Sequence, residues 1–176
     1  SAVLGMDAEV IEDVLKGREG VSIANYNCPG QIVITGEAAA VAEAGTALKE
    51  AGARRVLPLK VSGPFHSPMM RPAGEELAKV FAGISMNPLK IPYVANINAE
   101  VITDCGRIEG LLVDQVSGSV RWQQSVETMI REGVDTFVEI GPGKTLTGFL
   151  RKIDKNVKTY HIGSWEEAVQ VCEELK

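Results

Sequence analysis

The sequence predicts an α/β protein in two units: a small ferredoxin-like unit over residues 1–60 and an α/β layer over residues 61–176. Three observations predict it. Through residue 60, apolar stretches of period 2 and period 3.6 follow one another as strand, helix, strand, strand, helix, strand, the split β-α-β-β-α-β pattern. Beyond it, strands alternate with helices, which suggests parallel strands in a layer that is incomplete by itself. Hydrophobic residues make up 45% of the 176, enough for a packed core and too many for disorder.

The elements follow in order. Residues 2–5 form a short apolar strand, and Asp7 can cap a helix running to residue 16 with Val10, Ile11 and Val14 on one face. Residues 21–27 and 31–35 are strands around the turn Cys28-Pro29-Gly30, a hairpin. Residues 37–51 are Ala-rich with Val41, Ala44 and Leu48 at helical spacing, and Gly52 stands at the C-cap position. Residues 55–59 complete the unit as a strand. Residues 61–68 are a Gly-, Pro- and Ser-rich loop, and 69–81 a helix starting near Pro72. A strand at 91–95 precedes a segment containing Val101. Helices follow at 108–116 and 123–131, then a strand at 136–140, a Gly-Pro-Gly turn, a helix at 144–152, a strand at 157–162 and a last helix capped by Ser164. No internal repeat is present.

Composition excludes some classes. The formal charge of −5 argues against general nucleic-acid binding, which needs a basic face. No apolar run reaches the ~18 residues that span a membrane, and no secretory signal is visible. Cys28, Cys105 and Cys172 lie far apart with no metal or redox spacing, as in a reduced cytoplasmic protein. The opening Ser1-Ala2-Val3-Leu4-Gly5 reads as mid-strand, so the chain is expected to be a processed chain, a fragment or a piece cut for expression.

The chemistry-bearing residues are few. His66 lies in Ser62-Gly63-Pro64-Phe65-His66-Ser67-Pro68, where Gly and Pro hold it on a loop. It is either a general base or a half-buried loop histidine in a structural hydrogen bond. His161 ends an apolar strand with no catalytic partner nearby in sequence and reads as structural. Asn25-Tyr26-Asn27-Cys28-Pro29-Gly30-Gln31 can satisfy a tight turn or orient a polar substrate. Gly141-Pro142-Gly143-Lys144-Thr145 is not a nucleotide phosphate loop, because Val138 stands where its first glycine belongs. It remains a strand-to-helix turn or a modest anion site. Arg54, Arg55 and Lys60 cluster near the end of the first unit, and Lys144, Arg151, Lys152, Lys155 and Lys158 near the end of the second. Each cluster is a solvated face or a docking patch for an acidic partner.

Four ordered segments together resemble malonyl-CoA:acyl carrier protein transacylases: residues 25–36, the histidine segment 58–67, Val120-Arg121-Trp122, and Glu139-Ile140-Gly141-Pro142-Gly143-Lys144-Thr145-Leu146-Thr147-Gly148. The resemblance covers nearly the whole chain. It implies that residues 1–60 are a ferredoxin-like subdomain inserted into a larger hydrolase-like α/β acyltransferase subdomain, of which 61–176 are the C-terminal part. The family's nucleophile elbow G-H-S-x-G and its carboxylate-binding arginine are absent, and no G-x-S-x-G occurs in the sequence.

What the resemblance implies is malonyl transfer from malonyl-CoA to the phosphopantetheine thiol of acyl carrier protein in fatty acid biosynthesis, by a Ser-His ping-pong route. His66 would be the base, and the main-chain carbonyl of Gln115 would orient it. Asn27 would lie at the substrate, and Phe65 would crowd the α-carbon and favour malonyl over methylmalonyl. No permanent cofactor or metal is implied. The partners would be acyl carrier protein, malonyl-CoA and the missing N-terminal part of the enzyme, without which the chain should be inactive. Two other readings stay open: an acyltransferase fragment of a polyketide synthase, and a non-catalytic ferredoxin-like binding module.

Overall fold

The computed structural model describes residues 1–175. Its first unit runs β1 (Ala2–Leu4), α1 (Ala8–Leu15), β2 (Val21–Cys28), β3 (Gln31–Gly36), α2 (Ala38–Glu50) and β4 (Arg55–Leu57). The strands form one sheet in the order β2-β3-β1-β4, all antiparallel, as the split pattern requires. β1 is apolar throughout and lies between β3 and β4, with Ala2 and Val3 buried. Val3, Ile11, Ile34, Ala44 and Leu48 are sealed in the core between the sheet and the two helices. The hairpin turns on Pro29 followed by Gly30 at φ 71°, the pattern of a type II turn. At the end of α2, Ala53 N–H bonds to Leu48 and Gly52 N–H to Lys49, a Schellman ending with Gly52 at φ 107°. Asp7 stands at the N-cap of α1 but its side chain makes no capping bond. The last strand stops at Leu57 rather than at residue 59, because Pro58 has no N–H to give the ladder.

The second unit opens with a 3-10 turn, Pro68–Met70, leading into α3 (Arg71–Phe81). Then follow β5 (Tyr93–Val94), β6 (Val101–Ile102), α4 (Ile108–Ser117), α5 (Trp122–Arg131), β7 (Thr136–Ile140), α6 (Thr145–Ile153), β8 (Lys158–Ile162) and α7 (Trp165–Glu174). Helices α3 and α4 close tightly at buried Gly74, where a Cβ would come within 3.2 Å of the Val113 carbonyl. The expected parallel layer is present only in part. β7 and β8 pair in parallel from Thr136↔Lys158 to Ile140↔Ile162. The strand expected at 91–95 shrinks to Tyr93–Val94 and pairs antiparallel with β6, since Pro92 cannot donate on its near side. Ile140 and Ile91 stand 77% exposed, beyond what an isolated core would leave. Among the described residues no helix is long and apolar enough to cross a membrane.

A short strap joins the units. β2 is an edge strand, and Val120 covers its outer side: Val120 N–H donates to Ala24 at 2.7 Å, and Tyr26 N–H donates to Val120 at 2.9 Å. Ser119 Oγ donates to the Ile23 carbonyl at 2.6 Å. Arg121 lies over the Tyr26 ring at 5.6 Å, a cation–π contact. Ala24 and Asn27 are the extra residues of two irregularities in the β2–β3 register, which turn the strand toward this strap.

Candidate active site

His66 sits between β4 and α3 on a loop that holds it out of regular structure. Its φ is 59°, one of two non-glycine residues in the left-handed region among the described residues. For an L-residue that conformation costs about 1–2 kcal/mol, and it persists only where the surroundings over-determine it. The surroundings here are Pro64 before and Ser67 after. Ser67 is 1% exposed, its hydroxyl donates to the Pro64 carbonyl at 2.6 Å, and its own carbonyl starts the 3-10 turn by accepting from Met70 N–H at 2.9 Å.

The half-buried imidazole meets one partner, with Nδ1 3.1 Å from the Gln115 main-chain oxygen. A carbonyl can only accept, so Nδ1 carries the hydrogen and Nε2 is left with its lone pair. The carbonyl is free because α4 ends there. Gly118 N–H bonds back to Asp114, and the chain then departs with Gly118 at ψ 157°, so no amide of a following turn reaches Gln115. The ring thus faces the C-terminal end of a helix.

Phe65 is half exposed and lines a cavity of about 460 Å³ between β2–β3, the start of α2 and the loop 58–65. Asn25, not Asn27, lines that cavity, with Thr35, Ser62 and otherwise mostly apolar groups. Asn27 sits half-buried at the β2 irregularity between Tyr26 and Cys28. Asn25 belongs to the segment that the sequence marks as able to orient a polar substrate, whereas nothing local marks Ser67 as a clamp.

His161 has partners that its sequence neighbourhood did not offer. Its Nε2 lies 2.9 Å from the Gly141 carbonyl, and its Nδ1 stands 3.4 Å from Glu167 Oε2 without a hydrogen bond, a contact that becomes an ion pair only when the ring is protonated. The start of α6 is not an open anion site. Glu139 accepts from Leu146 N–H (3.0 Å), Thr147 N–H (2.7 Å) and the Thr147 hydroxyl (2.6 Å), so a carboxylate of this chain fills the place. Burial pushes the Glu139 carboxyl up, but the Thr147 and Leu146 hydrogen bonds and nearby His161 outweigh it and hold it below the usual range. Among the described residues no group of His, Cys, Asp and Glu is arranged to hold a metal ion.

One residue of each basic cluster comes to the same end of the small sheet. Leu4 pairs with Arg55 on one side and Gln31 on the other, and Lys152 Nζ reaches Gln31 Oε1 at 3.3 Å. The end of α6 therefore lies at the start of β3, two strands away from Arg55.

This chain belongs to the acyl transferase domain family, whose description matches residues 2–171. Within that class it is similar to the malonyl CoA-acyl carrier protein transacylase of Bacillus subtilis, 42% identical over 180 residues, covering 100% of this chain and 57% of the relative. The Staphylococcus aureus protein of the same description is 39% identical over 171 residues, covering 95% of this chain and 56% of its own length. In structure it superposes on MCAT from Streptococcus pneumoniae with a TM-score of 0.93 at 42% identity, covering 98% of this chain and 57% of that one. A malonyl-transacylase in complex with a type II PKS acyl-carrier protein superposes at 0.91 with 37% identity and the same coverage. The chain thus spans little more than half the length of the relatives it matches.

Proposed function

We propose that this chain is the base-bearing part of a malonyl-CoA:acyl carrier protein transacylase in fatty acid synthesis. The observation that carries the reading is the strained His66, its Nδ1 held by the Gln115 carbonyl and its Nε2 left free to take a proton. A serine from the remaining part of the domain attacks the malonyl-CoA thioester carbonyl while Nε2 takes the serine proton. The carbon–sulfur bond breaks, and the imidazolium returns that proton to the departing coenzyme A thiolate. In the second half-reaction His66 deprotonates the phosphopantetheine thiol. The thiolate attacks the malonyl-serine ester, and the proton goes back to the serine oxygen. Residues 1–60 act as the inserted subdomain and 61–176 as the closing part of the larger one. Asn27 and Phe65 lie along the substrate path, with Phe65 biasing the site toward malonyl by about 1–3 kcal/mol.

The carrier protein docks near the basic Arg54, Arg55, Arg151 and Lys152, where its acidic surface is steered by charge. A polyketide carrier is the second reading, favoured by the similar transacylase whose complex holds a type II PKS carrier. The test joins this chain to its N-terminal part and adds radiolabelled malonyl-CoA. A stable malonyl-enzyme should form, His66→Ala should slow its formation sharply, and the chain alone should take no label. Labelling of the chain alone, or undiminished labelling in His66→Ala, refutes the proposal.

A further inference from the structure

We infer that the side chain of Gln115 is a positioning residue for the His66 imidazole, acting through its own main-chain carbonyl. The inference rests on the proton-transfer role proposed for His66. Gln115 works in two directions. Its carbonyl meets His66 Nδ1, and its side-chain Nε2 donates to the Gly118 carbonyl at 3.0 Å. The second bond spans the point where α4 stops making backbone bonds, so a side chain closes the last turn where main-chain amides no longer do. Its Oε1 is buried without a partner among the described residues, so the Nε2 bond is what fixes the amide group.

Gly118 is itself immobilised. A Cβ there would run into the Ile97 side chain and lie 3.0 Å from the Asp114 carbonyl. The next two residues are clamped to β2 through Ser119 Oγ and the Val120 backbone. The Gln115 amide therefore ties a carbonyl that would otherwise fray with the helix end to a segment anchored on the small unit. The orientation of the ring is borrowed from that anchor.

The test is nitrogen-15 NMR of the imidazole rings in the full chain at pH 8. The sequence holds two histidines, so a His66→Asn spectrum assigns the signals. In the native chain the neutral His66 ring carries its hydrogen on Nδ1. Gln115→Met keeps the length and removes the donor, and the Nδ1–H share should fall at least about twofold while thermal unfolding stays cooperative, as expected when one net hydrogen bond is lost. Gln115→Glu, which at this pH offers Gly118 only an acceptor, should show the same fall and decides the matter if the Met variant does not fold. An unchanged Nδ1–H share overturns the inference. In the longer protein, kcat should drop about fivefold with KM for malonyl-CoA unchanged, because the side chain does not touch substrate. A shifted tautomer, with a longer protein that transfers no malonyl group, would uphold the positioning and sink the transferase reading. Malonyl transfer with an unmoved tautomer would do the reverse.

Discussion

His66 carries backbone strain that two substitutions can isolate. Both His66→Gly and His66→Ala delete the Nδ1 hydrogen bond to Gln115, a loss of about 1 kcal/mol common to the pair. They differ in the backbone. Alanine must still adopt φ 59°, which costs about 1–2 kcal/mol, whereas glycine reaches that region freely. Glycine gives back about 0.4–1 kcal/mol through its greater freedom in the unfolded chain. The balance leaves the glycine variant more stable by about 0.5–1 kcal/mol. Urea unfolding reads this directly: with an m-value of about 2 kcal/mol/M, the glycine midpoint should lie about 0.25–0.5 M above the alanine one. Ala42→Gly on the exposed side of α2 supplies the opposite sign, a loss of about 1 kcal/mol. An alanine variant at position 66 as stable as the glycine variant, or more so, would show that the loop relaxes without its histidine and that no strain is stored there.

Three further outcomes are expected. The Tyr26 hydroxyl is pushed up to about 12 by burial first, then by its hydrogen bond to Glu12 and that group's charge, so its protonated form is favoured on folding. Stability from it is complete below pH 10 and lost as pH rises toward 12. Tyr26→Phe should flatten this alkaline limb in urea midpoints, and an absorbance titration with every tyrosine ionising near 10 would contradict it. Glu139, held below the usual carboxylate range, contributes stability above pH 4.5 that fades as pH falls through its folded value. Glu139→Gln should lower the neutral-pH melting temperature while making the acid limb shallower, and an acid limb as steep as before would remove Glu139 from it. Reversing the charges of Arg54 and Arg55 in the longer enzyme should raise KM for the carrier protein and leave KM for malonyl-CoA alone. An unchanged carrier KM would move the docking site elsewhere.

Much of this structure was legible locally. Period-2 and period-3.6 runs, the Pro29-Gly30 turn, Gly52 after α2 and Ser164 before α7 each act within a few residues, and each fell close to its expected place. Ser164 Oγ indeed accepts from Glu167 N–H at 3.2 Å. What escaped was made by distant segments or by the backbone. Val120 on the edge of β2 is a main-chain pairing that no side-chain pattern announces. The grip on His66 is a carbonyl, which every residue possesses, so residue type alone could not single out Gln115. That assignment came through family likeness instead. The left-handed φ of His66 was equally silent, since Gly63 and Pro64 signal a loop but not which of its residues takes the strain. Glu139 looked like an ordinary strand residue until the fold brought the start of α6 onto it.

The strap also sets a timetable for synthesis. Ser119 lies 96 residues after the Ile23 carbonyl it bonds. At about 5–20 residues per second, a ribosome needs about 5–20 seconds to deliver it after β2 has emerged. Through that interval the small unit can complete its own sheet, yet the outer edge of β2 offers unpaired groups to any neighbouring nascent chain. The two register breaks at Ala24 and Asn27 bend that edge and make it a poor template for foreign strands. The irregularity that lets Val120 dock at the end thus guards the same edge while the chain is still being made.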